Sequence, residues 1–375
     1  MRTGTWQTGA MSNAEFLIAG GGIAGLAAAL AISPRSTLLL EQATEWSEVG
    51  AGLQLGPNAV RALQKLGVWD AVAPYASSPP EIHVHDGMSG MRIARWQIGP
   101  KFEQRFGAPY RVAHRADLHK ALLECTAALP HLEIRMAHPI TAMGQSAENV
   151  WLSSQSTKIS AKSLIAADGI KSSIRSQLLP GSIPVNTGYI YHRALLDYLP
   201  QVSGIAIDCV NLWLCPEAHV VHYPVGKRAR LNLVAVTRED KTPQSAFERA
   251  SGTLKDILAQ PKQWLPWPSI HVPVLKSSAH GNTLLIGDAA HGTVPYLAQG
   301  AAMALEDAAA LKDNPHNFCA VSRIRASRVL RLHKASIQQG QIYHASGLKR
   351  WAALQAIART PEHLVWSRLS WLYGK

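Results

Sequence analysis

The stretch FLIAGGGIAGLAAALAI, residues 16–32, decides the fold. Three interpretations are open for it: a buried helix, an export signal or a phosphate-binding loop. Four glycines interrupt the apolar run and Pro34 follows it, so it is not the unbroken run of roughly 18 apolar residues that predicts a membrane span. Glu15 precedes it, and Arg2 is the only basic residue upstream. Since export signals begin with a basic region, we expect none here, and Met11 is a candidate start of the chain.

A phosphate-binding loop explains the glycines. The letters GGGIAG, which start at Gly20, fit the pattern GxGxxG between a predicted strand and a predicted helix. In such loops Gly20 permits the tight turn, Gly22 lets the backbone approach a pyrophosphate, and Gly25 lets the helix pack against the sheet. The residues Ile23 and Ala24 open the helix, and its N-terminal amides and dipole attract an anion.

An acid ends the next predicted strand. TLLLE at 37–41 predicts that strand and places Glu41 at its end, followed by Gln42. An acid at this place accepts hydrogen bonds from ribose hydroxyls, so we expect Glu41 to contact a dinucleotide cofactor. We expect the same of its neighbour Gln42. A glycine-rich packing motif with an incidental acid is the alternative, and the loop alone does not separate NAD from FAD.

Composition and charge narrow the function classes. The chain has 375 residues, 47% apolar and 17% charged, which suits a globular protein with one large core or two. Its net charge is +12, but the basic residues are spread along the chain, which does not favour nucleic-acid binding. A basic surface or the attraction of anionic ligands explains the charge. The four cysteines form no CxxC pair, so we expect no disulfides, no metal site and a cytoplasmic protein.

The hydrophobic patterns divide the chain into alternating parts. Some parts alternate strands with helices, others alternate residues in the manner of an antiparallel sheet, and the end is helical. The predicted domains are an α/β dinucleotide-binding domain at 11–75, 110–180 and 280–320, a β-rich substrate domain at 76–109 and 181–279, and a helical segment at 321–375.

A second candidate cofactor segment is LLIGDAAHGTVPYLAQGAAMALEDAAAL, residues 284–311. Asp288 ends a predicted buried strand, where its carboxylate could bond a ribityl hydroxyl. Gln299, Gly300 and Ala301 open the next helix, so their amides could face an anion. A helix N-terminus beneath a reduced flavin would stabilise its negative charge.

A third motif, LIAADGIKSSIR at 164–175, contains Asp168. With GxGxxG, DG and GD motifs in this order, the chain resembles the group A flavoprotein aromatic hydroxylases over nearly its whole length. It is most similar to the branch of salicylate hydroxylase, 3-hydroxybenzoate 6-hydroxylase and 6-hydroxynicotinate 3-monooxygenase. The segments that resemble this branch are GAGLQLGPNAVRALQKLGVWD (50–70), HRADLHKAL (114–122), LWLCPEAHVVHYPV (212–225) and WLYG (371–374).

The resemblance implies a p-hydroxybenzoate hydroxylase-like fold, in which a Rossmann-like FAD-binding domain is interleaved with a mainly antiparallel substrate domain. It also implies FAD contacts residue by residue, although Arg115 could instead be an ordinary arginine at a helix start. The implied contacts are Gly20, Gly22 and Gly25 to the pyrophosphate, Glu41 to the adenosine ribose, Arg115 to a phosphate or the ribityl chain, Asp168 to FAD and the nicotinamide cofactor, Asp288 to the ribityl chain, Pro295 near the reactive edge of the flavin, Gln299 to Ala301 near its ring, and Gln54 between flavin and substrate.

The same resemblance implies the reaction. No second GxGxxG occurs, so NADH or NADPH is expected to visit transiently and reduce FAD, which then reacts with O2 to give a flavin C4a-hydroperoxide that hydroxylates a small aromatic substrate. A phenol is attacked more readily when it is deprotonated, so a base is expected. His219 and Tyr223 match the active-site pair of the branch and share one face of a strand, whereas His222 is out of phase. A pair of half-buried sheet residues is the alternative, and His291 is expected to structure its loop.

Two segments depart from the branch. Cys215 to Ala218 read CPEA in place of a G-P-G-R run, and SIHVPVLKSSAHGN at 269–282 looks more like the ubiquinone-biosynthesis hydroxylases. A hydroxybenzoate is the expected substrate, with an N-heteroaromatic, a larger phenolic or a ubiquinone-type precursor as alternatives. Trp351, Trp366 and Trp371 suit either helix packing, which we favour, or a membrane surface. A non-catalytic flavin-binding protein and an NAD-dependent dehydrogenase are the remaining alternatives, and we expect a monomer or homodimer.

Overall fold

The computed structural model describes residues 14–46, 52–155, 157–198, 204–226 and 230–374. The candidate start Met11 and the first two residues of the segment 50–70 lie outside these ranges. The strands are β1 (Phe16–Ala19), β2 (Thr37–Leu40), β3 (Gly52–Leu55), β4 (Glu81–Asp86), β5 (Arg92–Gln97), β6 (Arg111–His114), β7 (Leu132–Arg135), β8 (Ala142–Gln145), β9 (Val150–Ser154), β10 (Thr157–Ala161), β11 (Ser163–Ala166), β12 (Val185–Leu196), β13 (Val210–Cys215), β14 (Ala218–Val225), β15 (Arg230–Arg238), β16 (Leu265–His271), β17 (Ala279–His280) and β18 (Thr283–Leu285). The helices are α1 (Ile23–Ile32), α2 (Pro57–Leu66), α3 (Trp69–Val72), α4 (Pro100–Phe106), α5 (Arg115–Ala127), α6 (Ser173–Leu178), α7 (Pro243–Ala246), α8 (Gly252–Leu258), α9 (Asp288–His291), α10 (Gly300–Asp313), α11 (Phe318–Tyr343), α12 (Gly347–Arg359) and α13 (Glu362–Tyr373).

A six-stranded sheet carries the glycine loop. Its order is β17-β18-β11-β1-β2-β7, and its strands run parallel except for β17. Every side chain of β1 and β2 is buried, because helices α1 and α10 pack on one face and the small sheet β10-β9-β8 covers the other. Parallel sheets covered on both faces give the continuous apolar strands seen in the sequence.

A seven-stranded sheet forms the second layer, in the order β16-β12-β15-β14-β13-β4-β5. It is antiparallel except where β4 runs parallel to β13, a pairing across the chain that alternation along one segment does not predict. Helix α8 packs on one face, and α11 and α13 contribute to the core on the other. Two expectations need correction: the strand expected through 204–214 begins only at Val210, and the segment 76–109 contains helix α4 besides the predicted hairpin.

The C-terminal helices pack against this second sheet, and the mixed α/β architecture agrees with the predicted fold class. Trp366 and Trp371 border an aromatic core cluster, as the packing interpretation predicts, whereas Trp351 is 59% exposed. Within the described ranges, no helix combines the length and apolar character needed to cross a membrane.

Candidate active site

The glycine loop has the geometry that a pyrophosphate requires. Gly20 has φ +99°, and a Cβ there would lie 2.5 Å from the Ala167 carbonyl oxygen. A Cβ on Gly25 would lie 1.9 Å from the Gly20 carbonyl oxygen, whereas a Cβ on Gly22 would meet nothing within 4 Å. Two glycines therefore permit close packing within the protein, and the third faces open space at the N-terminus of α1. Since no side chain caps this helix, the loop fits a bound dinucleotide phosphate.

Glu41 already organises this loop. Its Oε2 accepts a hydrogen bond from the Gly21 amide at 2.6 Å, and its Oε1 accepts one from Ala43 at 2.9 Å. Each carboxylate oxygen keeps a lone pair for a ribose hydroxyl. Gln42 lies exposed beside it. The predicted ribose contact is therefore compatible with a carboxylate whose position is fixed before the cofactor arrives.

The DG and GD motifs are joined by an arginine that the sequence analysis did not single out. Arg175 is fully buried and donates hydrogen bonds to the carbonyl oxygens of Ile170 at 2.6 Å and Ala289 at 2.9 Å. Asp168 accepts a hydrogen bond from the Ser172 hydroxyl at 2.6 Å and so holds the start of α6. Asp168 thus has a structural partner in addition to its expected contact with cofactors.

Asp288 lies near three arginines and His291. Burial raises the pKa of its carboxyl group, and His291, Arg115, Arg175 and Arg193 counteract part of this shift. Its side chain is nevertheless exposed to solvent. A group that is both surrounded by protein and accessible lies in a concave site, which suits a ribityl contact.

His291 has the loop-structuring role that the sequence predicts. Its Nε2 lies 2.5 Å from an oxygen of Asp307, which also accepts hydrogen bonds from the Gly287 amide and from Arg325. This buried carboxylate therefore fixes the GD turn, where Gly287 has φ +57°.

The segment after the GD motif forms a second exposed helix start. Pro295 begins a short 3-10 turn, and Ala298 in αL conformation leads into α10. Gly300 opens this 14-residue helix with no side-chain cap and no acid in its first turn, and Ala301 follows it. The Gln299 side chain instead points inward, where its Oε1 accepts a hydrogen bond from Asn58 at 2.8 Å. Any contact of Gln299 with a flavin ring is therefore assigned to its backbone.

The sheet face opposite α8 carries His219. Its Nδ1 lies 2.8 Å from Nε2 of His344, the residue that directly follows α11. The rings of Tyr296 and Tyr343 pack against it at centroid distances of 5.7 and 5.1 Å. Burial, with His344 beside it, lowers the pKa of His219 well below its ordinary value. The imidazole is therefore neutral at physiological pH and able to accept a proton. His222 lies on the other face and accepts a hydrogen bond from Trp213.

Tyr223 lies on the same face as His219. Burial raises the pKa of its phenol, and Arg193 and a hydrogen bond with Gln54 partly counteract the shift. Gln54 also accepts a hydrogen bond from the Tyr110 hydroxyl. Gln54 therefore connects two phenols, and its position between flavin and substrate stays a prediction.

Arg193 is the main residue of this site that the sequence analysis missed. It lies on β12, in register with Val234 of β15, and Val234 in turn is paired with Val221 of β14. Paired residues share a face, so Arg193 points to the side of His219 and Tyr223. Burial lowers its pKa, and no hydrogen bond or ion pair holds the guanidinium within the described part of the chain. Its guanidinium carbon lies 5.4 Å from the centroid of the Trp267 ring.

One cluster bears on the expectation of no metal. Ligand atoms of Glu81, His83 and Cys209 all lie within 4.8 Å of one another, on the opposite sheet face from His219. His83 and Glu81 are joined by a 2.7 Å hydrogen bond, which by itself accounts for their proximity. The absence of a metal stays a prediction.

The glycine loop and the two uncapped helix starts are features of a dinucleotide-binding fold. The family model described as FAD binding domain matches residues 13–314. Among curated relatives, the chain is 35% identical to a 3-hydroxybenzoate 6-hydroxylase of Polaromonas naphthalenivorans, covering 96% of this chain and 95% of the relative. It is 30% identical to a 6-hydroxynicotinate 3-monooxygenase of Bordetella bronchiseptica, with coverages of 84% and 88%.

Solved structures agree in fold. HpxO of Klebsiella pneumoniae, complexed with FAD and uric acid, superposes with a TM-score of 0.84 at 20% identity, covering 98% of each chain. A salicylate hydroxylase substrate complex gives a TM-score of 0.78 at 24% identity, covering 96% of this chain and 95% of the other. The chain belongs to the FAD-binding family of class A flavoprotein hydroxylases. It is a flavin-dependent aromatic monooxygenase that uses FAD, with NAD(P)H and O2 as co-substrates.

Proposed function

We propose that the substrate is a hydroxylated aromatic carboxylate of the hydroxybenzoate type. The observation that carries this proposal is Arg193, a largely desolvated cation without an ion-pair partner among the described residues, on the same sheet face as His219 and Tyr223. An unpaired buried charge is costly, so the site favours an anionic ligand. The names of the relatives, 3-hydroxybenzoate and 6-hydroxynicotinate hydroxylases, support a ring with a carboxylate and a hydroxyl group.

In this proposal Arg193 pairs with the substrate carboxylate, which orients the ring. His219 is neutral and accepts the proton of the ring hydroxyl. Tyr223 keeps its proton because burial raises its pKa, so it donates a hydrogen bond to the developing phenolate. The chemistry that bound FAD supplies is electron uptake from NADH or NADPH and transfer of one oxygen atom of O2 to the activated ring. FAD would bind near Asp288, and the substrate would bind at the sheet face that carries His219. This arrangement would hold the flavin and the substrate ring together and exclude bulk water.

The site residues assigned from the sequence enter as part of the proposal. The loop from Gly20 to Gly25 holds the pyrophosphate, Glu41 and Gln42 the adenosine ribose, and Asp288 with Arg115 the ribityl and phosphate region. Pro295 and the start of α10 lie toward the flavin ring. We also propose the predicted division into FAD-binding segments (11–75, 110–180 and 280–320), substrate segments (76–109 and 181–279) and a helical end (321–375), in a cytoplasmic monomer or homodimer.

The test is a panel of 3-hydroxybenzoate, salicylate, 6-hydroxynicotinate and uncharged phenols. Stimulated NAD(P)H oxidation is scored together with product mass, because oxidation that only releases peroxide does not count as hydroxylation. We expect His219→Ala and Tyr223→Phe to lower product formation roughly 100-fold or more while FAD stays bound, with the exposed His363→Gln as control. Unchanged hydroxylation in both variants would overturn the catalytic assignment, and a preference for uncharged phenols would overturn the substrate class.

A further inference from the structure

The pair formed by His219 and His344 connects a buried ring to the protein surface. His219 is 4% exposed, whereas His344 is half-buried at the end of α11. The two nitrogens, Nδ1 of His219 and Nε2 of His344, are 2.8 Å apart, so one of them carries a proton and the other a lone pair. The second nitrogen of each imidazole, Nε2 on His219 and Nδ1 on His344, has no hydrogen-bond partner among the residues that the structure describes.

We propose that His344 is a positioning and relay residue, which orients His219 and carries the substrate's phenolic proton from it to solvent. This inference rests on the proposed role of His219. It assigns a function to a residue outside the motifs, 125 positions away in the chain. Hydrogen-bonded imidazoles suit such a relay, because each ring takes a proton at one nitrogen and releases another from the second.

The proton count balances along this path. The O–H bond of the substrate breaks as Nε2 of His219 takes the proton. Nδ1 of His219 gives its proton to Nε2 of His344, and Nδ1 of His344 releases one to water. When the hydroxylated ring regains its aromaticity, its ring C–H bond breaks and that proton leaves to water. The phenolate oxygen regains a proton that returns from water along the same path, so both imidazoles recover their starting tautomers.

The groups around the two imidazoles favour transfer of the proton to water over its retention on either ring. The rings against it are the phenols of Tyr189, Tyr296 and Tyr343, each with a pKa raised by burial and therefore uncharged. Burial lowers the pKa of His344 to about 4 and that of His219 well below its ordinary value. Neither ring is stable as a cation, so a proton taken from the substrate has to move on to water.

The stacking of His344 on Tyr189 fixes its orientation. The ring centroids are 4.1 Å apart with an interplanar angle of 19°, and the edge of Tyr296 approaches from another side at 5.2 Å. A ring held on two sides keeps Nε2 directed at His219. The orienting contacts come from β12 and from the turn at Pro295, so they do not depend on the substrate.

The experiment uses holoenzyme and 3-hydroxybenzoate, or whichever hydroxybenzoate of the panel gives the most product. Stopped-flow traces with a pH indicator record proton release on substrate binding, and turnover records product. We expect His344→Ala to slow proton release and kcat at least about 10-fold with little change in KM, and added imidazole to restore part of the rate. His344→Gln keeps a hydrogen-bonding group but cannot relay, so it should be equally slow. His363→Gln is the matched control.

The outcomes separate this inference from the proposed function. If His219→Ala abolishes hydroxylation while His344→Ala and His344→Gln release the proton at the rate of the unmodified enzyme, the relay is wrong and His219 keeps its role. If imidazole restores nothing, or if His344→Gln is fully active, His344 is only structural and the relay is also wrong. If His219→Ala hydroxylates normally, the proposed function itself fails.

Discussion

Replacing Gly22 and Gly25 separately by alanine should divide cofactor binding from folding. A methyl group at Gly22 meets nothing within 4 Å, and the residue has φ −72°, which any residue adopts. Gly22→Ala should therefore leave the free energy of unfolding of the FAD-free protein within about 0.5 kcal/mol of the original. Its methyl group occupies the space where the pyrophosphate approaches the backbone. Loss of one hydrogen bond to a charged group costs about 1.5–3 kcal/mol, which weakens FAD binding about 10- to 150-fold.

Gly25→Ala should show the opposite order of effects. Its Cβ would lie 1.9 Å from the Gly20 carbonyl oxygen, whereas real Cβ contacts essentially never fall below 3.0 Å. Helix α1 would have to move by about 1 Å against a buried strand, and overpacking of this kind costs about 1–3 kcal/mol or more. Thermal unfolding of FAD-free protein measures the first effect, and quenching of flavin fluorescence on titration measures FAD affinity. A Gly22→Ala protein that binds FAD normally, or a Gly25→Ala protein of unchanged stability, would refute the assignment of the loop.

The remaining predictions concern charge. Arg193→Met should raise KM for 3-hydroxybenzoate at least about 10-fold and change KM for an uncharged phenol little, as steady-state kinetics will show; equal effects on both would contradict carboxylate pairing. Asp307→Asn should destabilise the protein by about 1–3 kcal/mol in denaturant unfolding, because His291 loses its buried carboxylate partner and Arg325 keeps only Glu306. The folded-state pKa of Asp307 is lowered to about 2, so the original enzyme keeps this stability above pH 4 and loses roughly 2 kcal/mol as pH falls toward 2, a loss that Asp307→Asn should not show. Arg328→Met should expose the end of the chain to proteolysis, since Arg328 donates to the carbonyl oxygens of Trp371 and Leu372; an unchanged digestion pattern would contradict this.

Local signals account for the parts of the fold that sequence predicts well. The strand, glycine turn and helix around Gly20 can be predicted from about 20 consecutive residues. A continuously apolar strand is typical of a parallel sheet that is covered on both faces. The parallel pairing of β4 with β13 is different. It joins Val210 to Ile82 across more than a hundred residues, and no periodicity within either segment specifies it. Helix α4 was likewise missed, because its seven residues are too few for a clear helical pattern.

The residues of the site likewise divide into those that a local pattern predicts and those that only tertiary packing brings together. His219 and Tyr223 can be paired from their spacing, since residues four apart on a strand share a face. The position of Arg193 beside them follows only from the register of β12 with β15. The contact of His344 with His219 follows only from where α11 ends. Such contacts depend on tertiary packing, and a single sequence carries no separate signal for them.

The carboxylate of Glu41 narrows where the phosphates of FAD can bind. The Gly21 amide is already used by Glu41, and the Leu26 amide by the carbonyl oxygen of Gly22. The first amides of a helix have no partner within it, so among the described residues those from Gly22 to Gly25 are the ones that would face the proposed pyrophosphate. The negative charge of Glu41 lies on the other side of the Gly21 peptide, where it fixes the loop and still has lone pairs for a ribose. In the proposed site the acid and the phosphates would use different amides of one turn, so an acidic side chain and an anionic cofactor could share a loop of six residues.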